Sequence, residues 1–122
     1  DFLISKMFPN GTFKIISNKG WHQKDSIPYQ FGEQPIEACY MMQALDLFYN
    51  FTNNVSYKEK LKLAFDWYLG RNHLNHIMHN PATGGCYDGL EKENVNLNQG
   101  AESTVCYLMS RLLIEKYVLI SC

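Results

Sequence analysis

Three acidic residues stand where helices are expected to begin or loops to turn. They are Glu33 in Gly32-Glu33-Gln34-Pro35, Asp88 in Gly84-Gly85-Cys86-Tyr87-Asp88-Gly89, and Glu102 in Gln99-Gly100-Ala101-Glu102. Two carboxyls across a cleft are what cleavage of a glycosidic bond requires. One donates a proton to the leaving oxygen, and the other activates water or attacks. Each residue also has a plainer role. A carboxylate at a helix N-terminus is favoured by the helix dipole, and simple capping outweighs sugar binding for Glu33 and Glu37 on the sequence alone. An aspartate before glycine is ordinary turn chemistry. For acid–base work, Asp88 and Glu102 come first and Glu33 stands in reserve.

Other chemistries find less support. His73-x-x-His76-x-x-His79 invites a metal reading, but Gly70 and Pro81 flank it and no His-Glu-x-x-His pattern occurs. Unrelated loop histidines are the better reading, and no metal is expected. Ser103 lacks a nucleophile elbow and Cys86 lacks the flanks of a catalytic cysteine. There is no glycine-rich phosphate loop, and no cofactor is expected. Proton transfer by His22 or His76, as in a sugar isomerase or epimerase, is a further alternative.

The bulk numbers narrow the partners. Eleven basic and twelve acidic side chains give a formal charge of −1. The nearest approach to a basic cluster is Lys58, Lys60 and Lys62, interrupted by Glu59, so nucleic acid is not an expected partner. No apolar run is long enough to suggest a membrane span. Asp1-Phe2-Leu3-Ile4 does not open like a signal peptide. Cys39, Cys86, Cys106 and Cys122 are scattered, and those inside apolar stretches read as small buried thiols, which favours a reducing, cytoplasmic setting. The sequons at Asn10, Asn50 and Asn54 are taken as chance.

The elements that must position these residues are mostly helical. Residues 1–7 read as a helix tail ended by Pro9-Asn10-Gly11, and Thr12-Phe13-Lys14-Ile15-Ile16 alternates like a short strand. A helix starts at Gln34-Pro35, with proline preset at the first position. Ile36, Tyr40, Ala44, Leu47 and Phe51 mark one face, and the end falls at 50–53. Ser56 and Glu59 form a capping box for a second helix, with Leu61, Ala64, Phe65, Tyr68 and Leu69 as its buried face and Gly70 as its stop. The two make an antiparallel hairpin. Residues 71–99 read as an ordered binding loop, and a last helix runs from about 100 to 118 with Ala101, Val105, Leu108, Leu112 and Leu113 as its apolar stripe, widened by Met109 and Tyr117.

Five segments carry a resemblance. They are Ser17-Asn18-Lys19-Gly20-Trp21, residues Gly32 to Ala38, Ala64 to Asn72, Asn80 to Leu90 and Val95 to Thr104, in order along most of the chain. Together they resemble bacterial (α/α)-toroid domains of the six-hairpin glycosidase type, found beside or fused to glycosyltransferases. The resemblance implies an all-α fold of antiparallel helical hairpins, with residues 1–122 as one partial domain, the C-terminal portion of an (α/α)6 toroid, plus the short β element near the N-terminus. It implies an oligosaccharide or sugar held at a loop-lined rim, to be hydrolysed or simply bound in support of a glycosyltransferase. By motif, Gln34, Glu37, Arg71, Asn72, Asn98 and Gln99 would contact the sugar beside Glu33, Asp88 and Glu102, and Trp21 and Tyr87 would stack on it. The sequence departs from the family at His73, where an acidic residue is usual. Apolar flanks would pack against earlier hairpins or a second copy of the chain.

Overall fold

The computed structural model describes residues 2–8, 13–15 and 32–121. Its elements are α1 (Phe2–Met7), α2 (Pro35–Thr52), α3 (Val55–Asp66), β1 (Gly89–Leu90), β2 (Val95–Asn96) and α4 (Ala101–Ser121). The chain is mostly helical, and the described residues hold one small antiparallel sheet pairing Gly89 with Asn96 and Leu90 with Val95.

Local chemistry sets the helix ends. Gln34 is extended and Pro35 occupies the first turn of α2. Asn53 ends the helix in the left-handed conformation (φ 57°), its N–H donating to Tyr49 O at 2.7 Å. The cap of α3 is Asn54, whose side chain accepts from Ser56 N at 3.0 Å. The expected Ser56–Glu59 box therefore does not form: Asn54, an equally good cap two residues earlier, starts the helix at Val55. A turn at 67–70 follows α3, and Gly70 (φ 108°) reverses the chain.

Helix α3 folds back on α2, and α4 lies against both. Asp46 in α2 meets Lys116 and Tyr117 near the end of α4, while Cys39 near the start of α2 reaches Cys106 near the start of α4. The two helices therefore run in the same direction. The core between them holds Met42, Leu45, Leu61, Ala64, Phe65, Trp67 and Tyr68, and residues from the loop, Met78, Cys86 and Leu90, close it. Tyr107 stacks on Phe65, and Tyr68 lies edge-on to it. Tyr68 donates to Pro35 O at 2.8 Å and pins the start of α2 to the end of α3. Burial pushes its hydroxyl far above the ordinary range, so it stays protonated as a donor.

Two expected faces are reversed. In α2 the buried side chains are Ala38, Cys39, Met41, Met42 and Leu45, whereas Tyr40, Leu47 and Phe51 are exposed. In α4 the core face is Ser103, Cys106, Tyr107, Ser110, Ile114 and Tyr117; of the expected stripe Tyr117 is buried and Leu113 packs half-buried on the core, whereas Ala101, Val105, Leu108, Met109 and Leu112 are exposed. Both helices are apolar on two sides, and spacing identifies a stripe without saying which stripe meets the core. Leu69, expected in the core, is also exposed, because it falls in the turn rather than on the face of α3.

The expected strand at 12–16 is not a strand where it is described. Phe13 and Ile15 are buried and Lys14 points elsewhere, as alternation requires, but Lys14 N donates back to Met7 O rather than to a neighbouring strand. The β pairing lies instead inside the 71–99 loop. That loop is ordered, tied by Met78 N to Tyr68 O, Tyr87 N to Met78 O and a bridge between His79 and Cys86. Residues 9–12, including the helix-stopping Pro9-Asn10-Gly11, and residues 16–31 lie outside the described part. No described helix is long and apolar enough to cross a membrane.

Candidate functional site

The small hairpin ties two helix entrances together. Glu33, the second residue before α2, pairs with Leu90 of β1 through both backbone groups, at 2.9 and 2.8 Å. Asp88, the residue before β1, accepts from the backbone N–H of Gly100, just ahead of α4, at 2.8 Å. A cavity of about 430 Å³ opens between these ends. Glu33, Gln34, Asp88, Glu91, Glu102 and Ser103 line it, together with backbone of Gly32, Gly89 and Gly100.

The three carboxylates expected at a common mouth thus share one hollow, but their side chains are differently engaged. Glu33 is 1% exposed. Its Oε1 accepts from Trp67 Nε1 at 3.0 Å, and its Oε2 meets Lys14 Nζ at 2.6 Å and His73 Nδ1 at 3.3 Å. A buried carboxylate needs partners of this kind to offset desolvation. Glu33 is therefore saturated by the protein on the side away from the hollow, where Phe13, Lys14, Arg71, Asn72 and His73 border a second, smaller cavity.

Asp88 is likewise held. Its Oδ2 accepts from Asn98 Nδ2 at 2.5 Å and its Oδ1 from Gly100 N, with Ser103 adding a third bond. Burial by itself would raise its pKa, but these bonds to the charged form outweigh it and hold the carboxyl below the usual aspartate range. A Cβ on Gly100 would lie 2.8 Å from Asp88 Oδ1, so the approach depends on glycine there. Glu102 differs from both. It lies in the first turn of α4, is exposed, and makes no side-chain hydrogen bond or ion pair among the described residues.

The remaining sequence candidates scatter. Gln34 lines the cavity, and Asn98 stands behind Asp88. Gln99 is exposed and its Oε1 accepts from Thr83 Oγ1 at 2.5 Å, close against Gly85. Glu37 does not line the cavity; it is half-buried, and burial raises its pKa. Arg71 pairs with Asp66 at 3.7 Å. Asn72 is consumed by the turn that follows, donating to Trp67 O and His76 O and accepting from Leu74 N and His76 N. Tyr87 is half-buried against His76. Trp21 and His22 lie outside the described residues.

The three loop histidines go separate ways. His73 joins Glu33 to the carbonyls of Glu91 and Lys92, His76 turns to Ile77 O, and His79 stacks on Tyr107 at 4.9 Å. Among the described residues no group of three or more His, Cys, Asp or Glu is placed to hold a metal. Sequence reasoning missed Lys14, Trp67 and His73 as partners of Glu33. The one available signal was Lys14 itself, a charge between two buried apolar neighbours, which must find an anion when its segment packs. Comparison with models of known families and with curated proteins finds no match for this chain.

Proposed function

We propose that this chain is part of a carbohydrate-active, glycosidase-like domain of the (α/α)-toroid kind, and that it takes a glycan in the cavity between the entrances of α2 and α4. The observation that carries the reading is the meeting of Glu33, Asp88 and Glu102 around one polar hollow. The parallel course of α2 and α4, packed on each other with α3 folded back on α2, is the local arrangement a toroid repeats. The apolar outer faces of α2 and α4 suit further helices packed on the far side, from other hairpins or a second copy.

Within that reading the carboxyls divide the work. Glu102, exposed and making no side-chain bond among the described residues, is the carboxyl free to exchange a proton with the substrate or water. Asp88, held in its charged form, stabilises developing positive charge or orients water. Glu33 positions the entrance of α2 through its bonds to Lys14 and Trp67. In the full-length protein, Glu102→Gln is expected to lower hydrolysis of mannose- or glucose-containing oligosaccharides by about 10²–10⁴-fold. Unchanged turnover removes Glu102 from the mechanism.

A second reading is a glycan-binding module that assists a glycosyltransferase without cleaving. It is favoured by one specific observation: the oxygens of Glu33 and Asp88 are already occupied by protein donors. Saturable binding with no product after long incubation selects it over hydrolysis. For the isomerase alternative, His76 does not line the cavity and His22 lies outside the described residues, so no observation favours it.

A further inference from the structure

We propose that the sugar residue seated in this cavity carries a free amino group. The inference rests on the glycan reading above and narrows its substrate class. Among the described lining residues are four acidic side chains, Glu33, Asp88, Glu91 and Glu102, and no lysine or arginine. The charge of Glu33 is met from behind by Lys14, whereas Asp88 and Glu102 are opposed by no cation at the hollow among the described residues. The donors on Asp88, from Asn98, Gly100 and Ser103, are neutral, so they fix the carboxylate without cancelling its charge.

A carboxylate is an acceptor only, and an ammonium group is a donor only with three N–H bonds to offer. The pair is complementary in both charge and hydrogen bonding. An N-acetylated sugar loses the charge and brings a carbonyl acceptor toward oxygens that cannot donate. A uronate brings a like charge into a confined, partly desolvated space, where repulsion is strongest. The hollow, about 430 Å³, lies within the size range of ordinary small-molecule sites, roughly 300–1,000 Å³.

Calorimetric titration of the full-length protein with three tetrasaccharides tests this: β-1,4-linked glucosamine, its N-acetylated counterpart, and galacturonate. At low ionic strength the free amine is expected to bind at least about tenfold more tightly than the acetylated form, with galacturonate not binding. Glu102→Gln should cut that preference several-fold, and salt near about 0.5 M should shrink it. Glu59→Gln, an exposed change on α3, should leave it intact. Equal or tighter binding of the acetylated or acidic tetramer overturns the amine inference and leaves the glycan reading standing. Binding of none of the three overturns the amine inference, and failure of mannose- and glucose-containing oligosaccharides to bind as well overturns the glycan reading itself. A preference that Glu59→Gln weakens as much as Glu102→Gln is a general charge effect and overturns the inference. So does tighter, Glu102-dependent binding of oligolysine, which assigns the hollow to a basic peptide.

Discussion

Asp88 accepts from Asn98, Gly100 and Ser103, and these bonds exist only in the folded chain. Because its folded pKa lies below the unfolded value, the charged form favours folding. That contribution is complete above the unfolded aspartate pKa of about 3.9 and is lost as pH falls below it. Thermal melts of the protein and of Asp88→Asn should therefore differ most near neutral pH and converge in acid; a gap that stays constant with pH contradicts the account. The chain's carboxylates were conspicuous as residue types at chosen places. Their engagement was not, because Lys14, Trp67 and His73 reach Glu33 from segments 19, 34 and 40 residues away. No local pattern encodes such contacts.

At the scale of elements, two close approaches can be tested. Tyr68 ties the end of α3 to the first residue of α2, with Ser110 of α4 donating to its hydroxyl at 3.4 Å. Tyr68→Phe keeps the packing but removes the hydroxyl's bonds to Pro35 O and Ser110, and a loss of about 0.5–1.5 kcal/mol is expected in urea unfolding. Gly100→Ala sets a methyl group against Asp88 Oδ1. It should cost about 1–3 kcal/mol as the loop shifts to relieve the clash, and it should weaken glycan binding together with stability. Stability lost with binding intact separates the loop from the site. Helix boundaries were largely legible beforehand: Pro35 at the start of α2, its end at 50–53 and Gly70 after α3 each follow from chemistry within a few residues. The cap of α3 was misplaced by two residues because Asn54 and Ser56 are both good caps and compete for the same free N–H groups. The two-residue strands β1 and β2 are too short for any alternation to announce them.

For the molecule as a whole, the decisive matter is which side of each helix is the inside. Leu45 is 1% exposed and Leu47 is 69% exposed, two residues apart on α2. Leu45→Ala is expected to cost about 2–5 kcal/mol, and Leu47→Ala to stay within about 0.5 kcal/mol. Comparable losses at both positions would show that the outer face is also packed in solution, by another copy or by further helices. Chain-local chemistry by itself determined that α2 and α3 form a hairpin, where helices begin and end, and that polar residues gather at helix entrances, since these depend on neighbours a few residues apart. Tertiary structure alone decided that Met42 and Leu45, not Tyr40 and Leu47, face the core. It also decided that Glu33 and Asp88 are held by the protein while Glu102 is left open. Burial and pairing are set by what arrives from distant segments, and two apolar stripes on one helix are equivalent until something packs against one of them.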